Sequence, residues 1–205
     1  METTNINTTW EKRYPKASLE DIEDCYSLVV KHYSKPNRHY HNLNHIKSLI
    51  SQIKQLSLTT YNENILINVA IFHDVVYVSD RKDNEQKSAE FARNWLSKLN
   101  MDDNTSQIIC DIIRATSNHE SNDFLTQLFI DMDLSILGEN ELNYQKYISQ
   151  IRKEHYKVPN YLYKIGRKRF LTKMLSRTFI FSTPKYYESL EKIARKNITN
   201  ELNSL

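Results

Sequence analysis

The chain contains few of the residues that punctuate a fold. Its 205 residues include only 2 glycines and 4 prolines, against average frequencies of roughly 7% and 5% in soluble proteins. Tight turns and strand hairpins depend on these residues, so a sheet of many short strands has little material for its turns. The scarcity therefore argues against a β-rich fold and predicts an all-α protein.

Cysteines and long apolar runs are scarce as well. Cys25 and Cys110 are the only two cysteines, too few for a disulfide framework or a cysteine-based zinc site, and typical of a reducing compartment. No apolar run approaches the roughly 18 residues of a membrane span. Met1–Asn7 has neither the basic nor the apolar part of a secretory signal. We expect a cytoplasmic protein with no membrane partner.

Positive charge is concentrated near the C-terminal end. The net charge is only +3, yet eight basic residues and no acidic ones lie between Lys157 and Lys185. Such a stretch is suited to binding an anionic partner: a phosphorylated small molecule, a nucleic acid or acidic residues elsewhere in the fold. The alternative is that these basic residues lie on solvated helix faces and bind no partner. The 13 tyrosines form no evident stacking platform, so nucleic acid is the less favoured partner.

Apolar spacing and capping residues predict about eight to ten helices in a single bundle. One begins after Ser18 and runs to about His32, and others begin at Asn84 and at Asp102 or Asp103. The remaining predicted spans are 41–57, Asn62 or Asn64 to Asp74, 124–137 ending at Gly138, 140–156, 161–179 and 184–203. We expect one domain over residues 1–205, with a core at about 38–138 and basic helices at about 140–203.

Two histidines stand at a spacing that suits ligation. His41 and His45 are four residues apart, which places both on one face if they share a helix. The spacing is that of the HExxH zinc motif, but the glutamate is missing because Asn42, Leu43 and Asn44 intervene. The alternative, to which we give equal weight, is that both are ordinary surface or core histidines that bind no metal.

His73 and Asp74 end the apolar run that begins at Val69. Burying an imidazole and a carboxylate costs several kcal/mol unless a partner satisfies them, and a divalent cation does so directly. The alternative is a helix-end histidine bonded to backbone carbonyls beside an exposed aspartate. Asp131 and Asp133 offer further carboxylates. Residues two apart on a helix differ by about 200°, so only one of them faces a given centre and the other caps a helix.

The order of one histidine, a His-Asp pair and a distant aspartate resembles the HD superfamily of metal-dependent phosphohydrolases, which are all-helical. The chain looks most similar to a bacterial subgroup of predicted HD phosphohydrolases. The matching stretches are Tyr40–Ile46, Phe72–Tyr77, Asn84–Ala89, Asp131–Gly138, Gly166–Arg167 and Ala194–Asn197.

The resemblance implies a metal site whose ligands are His45, His73, Asp74 and Asp133. Such a nitrogen and oxygen set suits Mn²⁺, Fe²⁺, Co²⁺, Ni²⁺ or Zn²⁺. Asp74 is then the base that accepts the proton of a metal-activated water. Glu85 is the second candidate base, or orients a ligand; its other interpretation is a first-turn glutamate that the helix dipole favours.

The implied substrate is a phosphate ester or anhydride on a small nucleotide-like molecule. His41 contacts this substrate or serves as an alternative ligand, and His119 is a substrate contact, a fifth ligand or a general acid. Asn84 is a further candidate for contact with the substrate. Three arginines could each bind phosphate through two N–H groups of the guanidinium: Arg38, Arg167 and Arg177. The alternative for each is an ion pair with a carboxylate that stabilises the fold. Gly166 is expected to permit close backbone approach beside Arg167.

Two other functions remain open from the sequence. One is an iron-dependent oxygenase on the same fold, which requires a dinuclear site. The other is a non-catalytic helical module whose basic stretch binds RNA or an acidic partner, with a steep dependence on salt. A homo-oligomer is compatible with each of these functions.

Overall fold

The computed structural model of the chain describes residues 10–79 and 81–205. Within these residues the regular secondary structure is helical and no strand occurs, which confirms the all-α class. Met1–Asn7, where the sequence predicts no secretory signal, lies outside the described residues. The chain divides into two compact units, Met1–His119 and Glu120–Leu205. Such a division does not by itself separate domains, so the single domain stays a prediction.

The described residues of the first unit form five helices that follow a helical stretch at residues 10–13. They are α1 Leu19–Tyr33, α2 Leu43–Lys54, α3 Thr60–Phe72, α4 Asn84–Lys98 and α5 Asp103–Ala115.

Side-chain caps decide where these helices begin. Ser18, Thr59 and Asp102 each accept a hydrogen bond from the backbone N–H three residues further on, an interaction worth about 1 kcal/mol. The Thr59 cap starts α3 earlier than the predicted Asn62 or Asn64. Asn42 caps α2 through the N–H of Asn44. The expectation that α2 begins at residue 41 is therefore wrong, and His41 precedes the helix.

Helix α3 forms the centre of the first unit. Every residue from Ile65 to Phe72 is buried, and α3 packs against α2, α4 and α5. The buried amide of Asn68 accepts a hydrogen bond from the hydroxyl of Tyr14 and donates one to the carbonyl of Asn64. Apolar burial of roughly 1.5–3 kcal/mol for each large side chain fixes α3, and with it the residues at its end.

The second unit contains four α-helices and one short 3₁₀-helix. They are α6 Phe124–Leu134, the 3₁₀-helix Ser135–Gly138, α7 Glu141–Glu154, α8 Asn160–Ser176 and α9 Pro184–Ser204. The 3₁₀-helix packs against α9 and α7. A Cβ on Gly138 would lie 2.5 Å from Cβ of Leu190. Gly138 ends the 3₁₀-helix as expected, and its lack of a side chain also permits this contact with α9.

Two buried carboxylates hold the segment that leads into α9. Glu191 accepts hydrogen bonds from the N–H groups of Ile180 and Phe181. Asp131 accepts from the N–H groups of Ser182 and Thr183, and from the Thr183 hydroxyl. Burial raises the pKa of Asp131. One of the two aspartates was expected to cap a helix; Asp131 instead holds the two residues that precede α9, and α9 has no side-chain cap.

The helices are also informative about membrane association. Among the described residues, none of them combines the length and the apolar character that crossing a bilayer requires.

Candidate metal centre

Three ligating side chains converge in the first unit: His45, His73 and Asp74. One ligand atom of each lies within 4.8 Å of the other two. Nε2 of His45 is 3.2 Å from Nε2 of His73, which is 3.1 Å from Oδ2 of Asp74. The side chain of His73 is 1% exposed and that of Asp74 is 14% exposed, while His45 is 7% exposed. This group could hold a metal ion.

Helix ends bring the three residues together. His73 is the C-cap residue of α3, and its N–H donates to the carbonyl of Val69. The helix stops there, so the carboxylate of Asp74 turns back toward the imidazole that precedes it. His45 lies in the first turn of α2, where its N–H donates to the carbonyl of Asn42. The group therefore forms where the start of α2 meets the end of α3.

The contacts of His73 assign its protons. Nδ1 is 3.1 Å from the carbonyl oxygen of Ala70, which only accepts, so Nδ1 carries a proton; when the ring is neutral, Nε2 then has a lone pair. That lone pair faces the Asp74 oxygen. A proton on Nε2 would satisfy the contact with Asp74, and a cation between the three atoms would satisfy the contact with His45 as well. A backbone bond on the far ring nitrogen is usual for metal-ligating histidines.

His41 reaches the same carboxylate by a different path from the one that its spacing predicts. It lies in a bend before the Asn42 cap, so it does not share a helix face with His45. Its Nε2 is 3.8 Å from Oδ2 of Asp74, and its ring packs against Tyr77 with centroids 4.4 Å apart. His41 borders the candidate centre, and its role there stays a prediction.

Arg38 braces the backbone around the centre. It is 6% exposed, and its guanidinium donates to the carbonyls of His41, Asp74 and Val75. These bonds use the terminal N–H groups of the guanidinium, for which the sequence predicted phosphate as the partner. The structure thus gives Arg38 a role in holding the chain, and a contact with substrate stays a prediction.

Helix α4 holds the loop that follows Asp74. The Asn84 amide accepts from the N–H of Val78 at 3.0 Å and donates to its carbonyl at 2.9 Å. Ser88, one turn later, makes the same pair of bonds with Val76, both at 3.1 Å. The Asn84 side chain, predicted to contact substrate, is thus used by the loop. Ser88 was not identified from the sequence. Its position four residues after Asn84 places both side chains on one face of α4, which was a signal that they act together.

Glu85 and His119 also belong to the first unit. Glu85 is half-buried in the first turn of α4. His119 is half-buried beyond the end of α5, with φ of 58°, a left-handed conformation uncommon for residues other than glycine. The base and substrate roles of these two residues stay predictions.

The remaining candidates lie in the second unit. Asp133 is half-buried on α6, and its role as a ligand stays a prediction. Arg177 follows α8 and its guanidinium is 3.4 Å from Oε1 of Glu120. Gly166 has no atom within 4 Å of an added Cβ. Gly166 is therefore not required for a contact within the described chain, and the approach of a phosphate there stays a prediction.

Arg167 forms a buried ion pair with Glu201. Its Nε and one terminal nitrogen donate to the two carboxylate oxygens at 2.7 and 3.0 Å, and the other donates to the Tyr147 hydroxyl at 3.2 Å. Burial opposes the charge, but Tyr147 and Glu201 outweigh it, so the pKa of Arg167 is raised. This is the structural carboxylate that the sequence left open as the alternative to phosphate.

Comparison of the sequence with protein-family models, with curated proteins and with solved structures finds no significant match. The class of the protein therefore rests on its own residues. It is an all-α protein with a group of two buried histidines and the half-buried Asp74 that could hold a metal ion.

Proposed function

We propose that this chain is a metal-dependent phosphohydrolase of the HD superfamily, acting on a phosphate ester or anhydride of a small nucleotide-like molecule. The observation that supports it most is the convergence of the ligand atoms: His73 Nε2 and Asp74 Oδ2 are 3.1 Å apart, with His45 Nε2 beside them. Two imidazoles and a carboxylate form a donor set suited to a catalytic divalent ion. The reaction class, phosphate hydrolysis, is supported by the order of sequence motifs that resembles the HD superfamily.

In this proposal Asp133 completes the ligand set. Asp131 is the alternative carboxylate, and both of its oxygens are engaged by the backbone before α9, which favours Asp133. No thiolate belongs to the set, so Mn²⁺, Fe²⁺, Co²⁺, Ni²⁺ and Zn²⁺ are the candidate ions.

Solvent access divides the roles of the protein groups. A bound divalent ion would polarise a phosphoryl oxygen and lower the pKa of a water. His73 is sealed from solvent and orients its ring through Ala70, whereas Asp74 is 14% exposed. We therefore assign the proton-accepting role to Asp74, with Glu85 as the second candidate. His41, whose side chain is 19% exposed, is placed beside Asp74 to contact an incoming substrate oxygen.

Metal analysis tests the ligands. Purified wild-type protein should contain about one equivalent of a first-row metal, and His73→Ala and Asp74→Ala should lose it because each removes a ligand from the group. Element analysis by mass spectrometry measures the content. His155→Ala is the matched control, since His155 also places Nδ1 near a backbone carbonyl, 3.0 Å from that of Ile151. Metal retained in His73→Ala would contradict the ligand assignment.

An activity screen tests the reaction. With Mn²⁺, Co²⁺ or Ni²⁺ added, we expect release of phosphate or of a nucleotide product from a panel of phosphate compounds. Asp74→Asn should lower the rate by about 10²-fold or more, because the amide accepts no proton. Colorimetric phosphate detection and chromatography of nucleotides measure the two products. Hydrolysis that persists unchanged in Asp74→Asn would mean that another residue, or a contaminant, performs the reaction.

A further inference from the structure

Four side chains of the first unit are stacked beside the candidate centre. The guanidinium carbon of Arg38 lies 5.0 Å from the ring centroid of Tyr33 and 5.2 Å from that of Tyr77. The Tyr77 ring continues to His41, with centroids 4.4 Å apart. We call Tyr33, Arg38, Tyr77 and His41 the Arg38 stack. The planar guanidinium thus lies against two aromatic rings, a contact that its delocalised charge favours.

Within that plane the guanidinium ties two segments together. One terminal nitrogen donates to the carbonyl of His41 at 3.0 Å and to that of Asp74 at 2.7 Å. The other donates to the carbonyl of Val75 at 3.0 Å. The first acceptor precedes α2 and the other two follow α3. Arg38 therefore bridges the two pieces of backbone from which His45, His73 and Asp74 project.

Three carbonyls and two rings surround Arg38, and one of its donors is not used by them. Nε is buried and has no hydrogen-bond partner. Three carbonyls and two rings thus hold the guanidinium although this placement leaves one polar group unsatisfied, which is costly for a buried donor. An arginine placed only to carry charge into the core would not need this geometry.

We propose that Arg38 is a positioning residue that sets the separation of His45 from His73 and Asp74. This inference rests on the proposed metal centre. Metal–ligand distances tolerate only about 0.2 Å, so the two backbone segments must be held in register before an ion binds well. Lysine keeps the charge but not the planar fork that reaches both segments at once.

Cobalt binding tests the proposal on the full chain. We expect Arg38→Lys to bind Co²⁺ about 10- to 100-fold more weakly than wild type, as for other residues that orient ligands without touching the metal. The visible absorption spectrum of the Co²⁺ that still binds should also change, because it reports ligand geometry. Competition with a chelator gives the affinity, and circular dichroism with thermal unfolding shows whether the variant is folded.

Arg152→Lys is the matched control. Arg152 donates to the carbonyls of His155 and Val158 and lies 4.7 Å from the Tyr163 centroid, in the second unit. It should lose stability in the same way as Arg38→Lys while keeping the wild-type Co²⁺ affinity and spectrum. Wild-type affinity and spectrum in Arg38→Lys would overturn the proposal.

Tyr77 provides a second test if Arg38→Lys does not fold. Tyr77→Phe keeps the ring over Arg38 and should bind Co²⁺ within a few-fold of wild type, whereas Tyr77→Leu should bind it more weakly. Equal affinity in these two variants would overturn the proposal. Wild-type protein that binds no Co²⁺ would overturn both this inference and the metal centre. Wild-type protein that binds Co²⁺ without hydrolysing any phosphate compound overturns only the proposed reaction, and the affinities still decide the role of Arg38.

Discussion

At the scale of the residue, the imidazole of His73 has the most constrained surroundings of the candidate centre. Ala70 determines which nitrogen carries the proton, and the buried position removes water as a partner for the other. Adjacent His and Asp residues in an apolar run were enough to identify the pair from the sequence. The tautomer was not predictable, because it depends on where the carbonyl one turn earlier points once α3 has formed.

His32 should make the stability of the protein depend on pH. Burial lowers its pKa, helped by Lys35 and Arg38 and opposed by a backbone hydrogen bond at Val75. The unfolded chain therefore binds a proton near the usual histidine pKa of about 6.5, while the folded chain does so only at lower pH. Stability from this group is complete above that value and is lost as the pH falls toward the folded pKa.

The measurement is urea unfolding at several pH values between about 5 and 8, the range in which histidines titrate. His32→Phe keeps an aromatic ring against Phe91, whose centroid is 5.4 Å away, and cannot titrate. Its free energy of unfolding should fall less steeply than that of wild type as the pH decreases. Other histidines titrate in both proteins, so the difference between the two curves isolates His32. Parallel curves would show that His32 does not contribute.

At the scale of the element, the start of α2 shows what a periodic pattern misses. The spacing of His41 and His45 is that of neighbours on a helix, and the apolar stripe continues from residue 43. Asn42 nevertheless caps the helix through Asn44, and Arg38 binds the carbonyl of His41. Helix ends depend on such local hydrogen bonds, and both of these join residues only two or three apart in the sequence.

Replacing each of the two glycines by alanine should change the stability of the protein in opposite directions. Gly166→Ala in α8 should stabilise the protein by about 0.5–1 kcal/mol, because alanine restricts the unfolded chain and the site has room for a Cβ. Gly138→Ala should destabilise it by about 1–3 kcal/mol, since the new methyl would collide with Leu190. Chemical denaturation measures both, and each variant is the control for the other. A loss of stability in Gly166→Ala would contradict the expectation that a Cβ fits at this position.

At the scale of the whole molecule, the basic stretch is partly neutralised within the fold. Arg167 pairs with Glu201, and Lys173 and Arg177 both approach Glu120. Acidic residues elsewhere in the chain were one of the partners that the sequence left open. These pairs take up cations that would otherwise be available to an anionic ligand. The rest of the stretch keeps its charge, and a phosphate-binding role for it stays a prediction.

The sequence by itself determined the all-α class, most helix positions and the His-Asp pair at the end of α3. These features follow from local causes: the scarcity of glycine and proline, apolar spacing, capping residues and the cost of burying polar groups. The proximity of His45 to that pair followed only from the resemblance between motifs. Tertiary structure decided which side chains approach Nε2 of His73, the brace that Arg38 forms with Asp74 and Val75, and the use of Asp131 at α9. Each depends on contacts that form only once the helices have folded and packed, which no local pattern encodes.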